Sequence, residues 1–326
     1  MVVPHQRHGG LAGNYPEQTY EKLRKLLPEQ KFELEEVNEQ SQFDAVTDAE
    51  IIILRIFKAP KEVFERNPKL KMILRWGAGF DSVDIEEAGK RGIPVTNTPG
   101  ANANAVSELT VMLMLALGRK LQCHMESLKN GIWSKNTFLN QSYCLNQKRV
   151  GIIGGGNIGR QVAAKVQAFG ASVQYYDAVR LPQEMEEQWK MAYLSLDELL
   201  QTSDIVTLHV PLVDETRHMI GEEQIKKMKE GAILINTARG GLVDDVALEK
   251  AVRTGMLSGA GLDVVEREPL SAQDELLHNP NIIVTPHIGG GTADLGDIII
   301  PMLVNDILRL SEGEEPEHIV NKKYFR

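Results

Sequence analysis

Three segments in the second half of the chain each follow an apolar run, and each carries a side chain suited to handling charge or protons. Ile235-Asn236-Thr237-Ala238-Arg239-Gly240-Gly241 sets one guanidinium in a turn of small residues. There it can clamp a carboxylate through two parallel hydrogen bonds. Gly261-Leu262-Asp263-Val264-Val265-Glu266-Arg267-Glu268-Pro269 puts Asp263 at a strand tip and Glu268 before a proline. Val284-Thr285-Pro286-His287-Ile288-Gly289-Gly290-Gly291 sets an imidazole between a strand and a glycine run, where it can give or take a proton near neutral pH. Taken singly, each has a plainer reading: a surface arginine on a loop, a solvated acidic loop, a hydrogen-bonded structural histidine. His209, in Leu208-His209-Val210-Pro211, has the same form as His287, and spacing leaves both open. Together the set suits one reaction. When a hydride adds to the keto carbon of a 2-keto acid, negative charge develops on the keto oxygen. A protonated imidazole supplies the proton, and a neighbouring carboxylate orients that imidazole and makes it more basic. The arginine fixes the substrate carboxylate and polarises the carbonyl. This chemistry needs no metal, and no residues have convincing metal-ligand spacing.

A hydride source is implied by Val150-Gly151-Ile152-Ile153-Gly154-Gly155-Gly156-Asn157-Ile158-Gly159, an apolar run feeding G-x-G-x-x-G. Gly154 permits the tight turn, Gly156 lets the backbone approach a pyrophosphate, and Gly159 lets the following helix lie close to the strand. The helix N-terminus offers free N–H donors to phosphate. A helical stretch over 160–169 and a second apolar run over 173–176 follow, ending on Asp177. A carboxylate about twenty residues after the glycines can accept hydrogen bonds from an adenine ribose. The glycines alone are weak evidence; strand, helix, strand and acid in order make dinucleotide binding a strong reading. Asp177 repels a 2′-phosphate, which favours NAD over NADP, and the nearby Arg180 softens that preference.

The elements that must position these residues alternate between strand and helix. Strands are predicted at 205–208, 232–235, 259–263 and 282–284, with helical stretches between them. That alternation implies a doubly wound parallel sheet with its ligand outside the carboxyl ends of the strands. Earlier in the chain, 20–27 is a helix ended near Pro28, 51–54 and 71–74 are strands, and 85–91 is a short helix closed by Gly92. A turn-rich break at 94–100 precedes a long apolar helix over 105–117, capped by Gly118. Because the glycine unit begins mid-chain, a separate N-terminal α/β domain precedes it. The last helix, 293–310, contains Pro301, which predicts a kink or break.

Bulk properties agree with this class. The 326 residues suit two domains, and 42% hydrophobic residues supply real cores. A net charge of −9 without a basic block argues against nucleic acid or an anionic membrane surface as the main partner. Cys123 and Cys144 have neither zinc nor redox spacing, which fits free thiols in a reducing compartment. Residues 1–10 lack the apolar core of a signal peptide, and no apolar stretch is long enough to span a bilayer. A soluble cytoplasmic protein is expected.

With these residues assembled, the chain resembles the D-isomer-specific 2-hydroxyacid dehydrogenases, in their phosphoglycerate dehydrogenase-like branch, from about Ile51 to Asn321. The motifs are Arg75-Trp76-Gly77-Ala78-Gly79-Phe80-Asp81, Asn97-Thr98-Pro99-Gly100-Ala101-Asn102, the glycine segment, Asn236-Thr237-Ala238-Arg239-Gly240, Glu268-Pro269-Leu270 and Pro286-His287-Ile288-Gly289-Gly290. The resemblance implies two doubly wound parallel-sheet domains: a Rossmann NAD domain at 99–289, inserted into a flavodoxin-like substrate domain at 1–98 and 290–326, with the active site in the cleft between them. It implies that Arg239 binds substrate, that His287 is the acid/base, and that Glu268 pairs with it. Asn157 and Ile158 would lie against the pyrophosphate, with Gly154, Gly156 and Gly159 beneath. Asp177 would hold the adenosine ribose, and Val210 and Pro211 would line the adenine side. Thr237, Ala238, Asp263 and Gly290 would lie near the nicotinamide, with Asp263 on its carboxamide. Backbone N–H groups of Gly77, Ala78 and Gly79 would take the substrate carboxylate, and Arg55 would stand where a substrate phosphate is contacted. A homodimer through the NAD domain, around 105–120 and the arm near Trp133, is also implied.

Departures from the family pattern carry expectations of their own. Trp76 is bulky where small residues are common, so it is expected to shrink or reshape the substrate pocket. The His- and Gly-rich segment before Asn14 fits the usual first strand poorly. The chain stops soon after the core, so feedback through a C-terminal regulatory extension is not expected. Two other activities exist on this scaffold. An NAD-sensing corepressor would need an exposed peptide groove or a long tail. Formate enzymes carry Gln beside the histidine where this chain has Glu268, and phosphite remains open.

Overall fold

The computed structural model describes residues 7–12 (backbone alone), 15, 18–28, 32–133 and 135–325. They fall into two compact units, drawn from Met1–Asn102 with Thr292–Arg326 and from Ala103–Gly291. The chain therefore leaves the first unit, builds the second, and returns.

In the first unit five parallel strands stand in the order β2-β1-β3-β4-β5: β1 (Arg7–Ala12), β2 (Phe32–Val37), β3 (Ile51–Leu54), β4 (Met72–Arg75) and β5 (Val95–Thr96). This is the flavodoxin-like strand order. Strand periodicity explains why it is covered on both faces. Ile51, Ile53, Met72 and Leu74 enter one apolar cluster, while Ile52, Leu54 and Ile73 enter the cluster on the other face. The segment before Asn14 is a strand after all. Its residues 7–12 pair with both β2 and β3, so its place comes from backbone bonds on two sides and not from an apolar pattern.

Trp76 corrects a second expectation. It lies two residues beyond Leu74 and so continues the same face as Met72 and Leu74. It is 6% exposed, edge-on to Tyr15 at 5.0 Å between ring centroids and against Gly296. The indole fills the core of this unit, with little of it left at the surface. The helix Leu295–Glu312 lies in the same cluster and runs unbroken through Pro301. Leu295, Ile299, Ile300, Leu303, Val304 and Ile307 are buried at helical spacing, and Pro301 faces solvent. Burial of such side chains at about 1.5–3 kcal/mol each outweighs the roughly 3 kcal/mol an interior proline costs. The chain end is pinned by Asn321. Its buried side chain accepts from Val95 N at 2.9 Å and donates to Ile93 O at 2.9 Å.

The second unit is a seven-stranded parallel sheet in the order β12-β11-β10-β9-β6-β7-β8. Its strands are β6 (Arg149–Ile153), β7 (Ser172–Tyr176), β8 (Met191–Tyr193), β9 (Ile205–Leu208), β10 (Ala232–Asn236), β11 (Leu257–Leu262) and β12 (Ile282–Val284). From β6 outward this is the doubly wound order of dinucleotide-binding domains, extended by one strand. Ile152, Ile205, Ile233 and Ile235 face one apolar cluster, and Ile153, Val206, Leu208 and Leu234 face the other. No helix among the described residues is long and apolar enough to cross a membrane.

Candidate active site

All the chemistry expected of the second unit collects at one edge of its sheet. The glycine turn follows β6, Asp177 follows β7, and the Arg239, Glu268 and His287 loops follow β10, β11 and β12. In a parallel sheet these are all carboxyl ends, and β6 and β9 flank the switch point where strand order reverses.

The turn after β6 is built for close approach. Gly154 has φ +107°, and a Cβ on it would meet His209 O at 2.5 Å. A Cβ on Gly159 would meet Gly154 O at 2.0 Å, so the helix Asn157–Ala168 can lie this close only with glycine there. At Gly156 a Cβ would enter open space, with no atom within 4 Å, at the helix N-terminus. That is a cradle a side chain would fill and a pyrophosphate would use. Asp177 closes the turn: Oδ2 accepts from Gly155 N at 2.7 Å, and Oδ1 from Val179 N at 3.3 Å. Asn157 is exposed and accepts from Arg160 at 2.8 Å, while Ile158 is half-buried. Val210 lies beside Gly154, and Pro211 O accepts from Thr216 Oγ1 at 2.8 Å. These residues fit a dinucleotide.

His287 and Glu268 are in contact. Nδ1 of the imidazole is 2.8 Å from Glu268 Oε2, with the two side chains 51% and 40% exposed. Nδ1 is thereby committed, which leaves Nε2 to meet a ligand. His287 takes the left-handed conformation at φ 54°. Such a conformation persists only where its surroundings hold it, and Asp263 does the holding. Asp263 is buried; its O accepts from His287 N at 2.9 Å, Oδ1 from Thr285 Oγ1 at 2.6 Å and Ile288 N at 2.8 Å, and Oδ2 from Gly289 N at 2.7 Å. Three donors occupy most of its carboxylate, so its foremost contacts are with the histidine loop. Gly290 follows, half-buried. His209 is separated from His287 by burial. Its Nε2 lies 3.0 Å from Thr207 Oγ1, Nδ1 is out of solvent, and burial pushes its pKa down to about 3. Burial thus disfavours the imidazolium form at this position.

The Arg239 turn is held by Asn236, which is 1% exposed. Its Nδ2 donates to Arg239 O at 2.8 Å, and its Oδ1 accepts from Ala238 N at 3.1 Å. Arg239 Nη1 donates to Ala238 O at 2.7 Å. Thr237 is fixed from behind by Thr110, Oγ1 to Oγ1 at 2.8 Å. A Cβ on Gly240 would stand 1.9 Å from Val265 O, so the arginine turn lies directly against the loop carrying Glu268. The structure thus joins His287 to Glu268 by a bond and brings the Arg239 turn against the same loop.

In the first unit the expected anion loop follows β4. Gly77 N donates to Thr98 Oγ1 and to Arg75 O, both at 3.0 Å, so this amide is already committed and is not the donor expected of it. No described residue accepts from the amides of Ala78 and Gly79. Arg75 braces the loop, donating to Gly79 O at 3.0 Å and to Leu54 O and Arg55 O at 2.9 Å each. The Arg55 guanidinium is half-buried, and burial lowers its pKa, a cost that a bound anion relieves. Among the described residues no group of His, Cys, Asp and Glu could hold a metal ion.

Sequence reasoning did not find Thr110, Thr285 or the scaffold role of Asn236. The partners of Thr110 and Thr285 lie far along the chain, and the side chain of Asn236 serves the turn just after it, where no spacing pattern marks it.

A glycine cradle with an acid at the end of the next strand and an imidazole–carboxylate pair, at one edge of a doubly wound sheet, fits a dinucleotide-dependent oxidoreductase. A sequence model described as D-isomer specific 2-hydroxyacid dehydrogenase, NAD binding domain, matches residues 111–289. The chain is 41% identical to a glyoxylate reductase of Thermococcus litoralis, covering 83% of each. It is 41% identical to a hydroxypyruvate reductase of Thermotoga maritima, covering 81% of this chain and 87% of the relative. It superposes on the D-lactate dehydrogenase of Aquifex aeolicus complexed with NAD and lactic acid with TM-score 0.82, at 31% identity, covering 96% and 99% of the two chains. The chain belongs to the D-isomer specific 2-hydroxyacid dehydrogenase family: it is an NAD-dependent oxidoreductase.

Proposed function

We propose that the protein reduces a small 2-keto acid of the glyoxylate or hydroxypyruvate class to the D-2-hydroxy acid, with phosphorylated and larger acids as further members of the range. The observation that carries this is the His287–Glu268 pair, 2.8 Å apart at the carboxyl edge of the sheet that holds the glycine cradle. When bound at that cradle, NADH supplies the hydride. Gly156, Asn157 and Ile158 hold the pyrophosphate at the helix N-terminus, and Asp177 takes the adenosine ribose. Arg239 fixes the substrate and polarises the keto group. His287 gives the proton on Nε2 to the keto oxygen as charge develops there. Glu268, on Nδ1, fixes the tautomer and stabilises the imidazolium. Thr237 and Asp263 keep the nicotinamide side ordered.

The protein acts as a homodimer through the second unit. The helix Leu121–Lys129 buries no residue in the single chain. Leu121, Met125, Leu128, Ile132 and Leu139 are exposed, and Trp133 is 87% exposed. Leu121 also lines an apolar groove with Val111, Met112, Leu115 and Phe169. Exposed apolar surface of this kind marks an interface. Free thiols at Cys123 and Cys144 suit a cytoplasmic setting.

The test is a panel of 2-keto acids with NADH, read by nicotinamide absorbance, on wild type and His287→Ala. Turnover should fall by several orders of magnitude in the variant while NADH still binds. Near wild-type turnover in His287→Ala would refute the acid/base role. Tight NADH binding with no keto acid reduced would instead favour an NAD-sensing interaction protein.

A further inference from the structure

The turn after β7 carries charges of both signs. Asp177 is tied to the glycine turn, and three residues on stands Arg180, which could pair with a 2′-phosphate and offset the repulsion of Asp177. That arginine is already engaged. Its Nε and Nη2 donate to Glu186 Oε1 and Oε2, both at 2.8 Å, and its guanidinium lies over the Tyr193 ring at 5.1 Å. Glu186 sits on the helix Gln183–Trp189, with a side chain only 10% exposed. It is held from the far side by the buried Tyr175 hydroxyl, which donates to Oε1 at 2.6 Å and accepts from Leu181 N at 2.9 Å. The Leu181 side chain in turn lies beside Gly155 of the glycine turn.

Resting on the dinucleotide site proposed above, we infer that Glu186 and Tyr175 set the strictness for NAD by holding the Arg180 guanidinium away from a 2′-phosphate. Three features support this. The pair is bidentate, the geometry in which an exposed ion pair has real strength. The Arg180 bond and then the Tyr175 bond keep the Glu186 carboxyl down at about 2, so it stays charged at any working pH. Arg180 itself is 62% exposed, so the Glu186 carboxylate and the face of Tyr193 restrain it, and burial does not. Removal of the Glu186 charge frees the guanidinium without opening the core. Glu186 and Tyr175 are therefore positioning residues, acting on cofactor choice through Arg180.

The experiment measures NADH and NADPH dissociation constants by nicotinamide fluorescence, without keto acid, for wild type, Glu186→Gln, Tyr175→Phe, Arg180→Ala and the Glu186→Gln/Arg180→Ala double variant. Glu186→Gln should gain about tenfold in NADPH affinity, the worth of a charge-assisted hydrogen bond, with NADH within about twofold. The gain should shrink with added salt and vanish in the double variant. Tyr175→Phe should show a smaller gain of the same kind. Arg180→Ala alone should leave NADPH affinity unchanged, because the arginine is already sequestered. The inference is overturned if folded Glu186→Gln keeps the wild-type ratio of the two affinities, or if Arg180→Ala weakens NADPH binding. Should Glu186→Gln not fold, the exposed Arg180→Ala decides alone. A wild type that binds neither dinucleotide would overturn the cofactor site itself and this inference with it.

Discussion

Gly240→Ala places a methyl group where two backbones meet. The added Cβ would stand 1.9 Å from Val265 O and 2.3 Å from Val265 C, whereas real Cβ atoms keep at least 3.0 Å. The Arg239 turn and the Glu268 loop must therefore part by about 1.1 Å, the difference between those two distances. Both obstructing atoms are backbone, so no rotamer change relieves the clash. Overpacking of this kind costs about 1–3 kcal/mol of stability. That corresponds to a loss of roughly 2–12 °C in melting temperature for a unit of this size. The catalytic loss should be larger. A shift of about 1 Å in a reacting geometry costs on the order of a hundredfold in rate, and here it separates the guanidinium proposed to bind substrate from the loop whose Glu268 bonds His287. The assay is kcat/KM with a 2-keto acid and NADH at 25 °C, below the variant's melting temperature, alongside NADH binding by fluorescence. We predict a loss of about a hundredfold in kcat/KM, with NADH binding largely retained because the glycine cradle is untouched. A folded variant with kcat/KM within about threefold of wild type would show that the register of these two loops does not matter to the reaction, and would refute the reasoning.

Gly156→Ala should have the opposite profile. Its Cβ meets no protein atom and its φ of −69° suits alanine, so the melting temperature should hold while NADH affinity falls by tenfold or more, about the cost of one lost charge-assisted contact; unchanged affinity would argue against pyrophosphate binding at this turn. Asp245 gives a pH signature. Burial pushes its carboxyl up to about 6 from 3.8, Glu266, Asp274 and Asp244 add to the rise, and the bond from Glu266 N at 2.8 Å opposes it. Because the folded value lies above the unfolded one, the favourable contribution is complete below about pH 3.8 and is lost as pH rises through about 6. Asp245→Asn keeps an acceptor for Glu266 N and removes the buried charge. It should be more stable than wild type above pH 6 by about 1–2 kcal/mol, discounted for partial exposure, with the gap closing towards pH 4. Urea melts across that range check it, and a pH-independent difference would refute the burial argument.

The parts of the fold visible in the sequence are those where burial on both faces leaves an uninterrupted apolar run. β3 is read to the residue for that reason, and β9, broken only by Thr207, and the half-buried edge strand β12 are read to the residue as well. β1 is not, because a stretch containing Gly9 and Gly10 shows no apolar alternation, and its central place in the sheet comes from pairing on both sides. Trp76 was open to a correct reading from period two, since Met72, Leu74 and Trp76 share a face. The comparison with small residues in relatives pointed the other way. Helix continuity through Pro301 depends on how much apolar surface its far face buries, which a rule about proline alone does not weigh.

The site divides along the same line. The glycine turn and Asp177 are legible from local spacing, and His287 is distinguished from His209 by exposure and by its bond to Glu268, which spacing does not carry. What orders the site is a relay of buried polar groups between strand ends. Asp263 N donates to Asn236 O at 2.9 Å, Asn236 holds Ala238 and Arg239, and Asp263 holds Thr285, His287, Ile288 and Gly289. Loops at the end of a sheet have no ladder to satisfy their N–H and C=O groups, so a buried side chain must do it. Each of these two residues serves several backbone groups at once, and an apolar residue in either place would leave them unpaired at about 1–3 kcal/mol apiece. That requirement explains polar residues in positions of nearly complete burial. It also explains why a left-handed His287 is held beside Glu268: the loop that presents the imidazole is fixed by a carboxylate on the neighbouring strand, and the bond to Glu268 then orients the exposed ring.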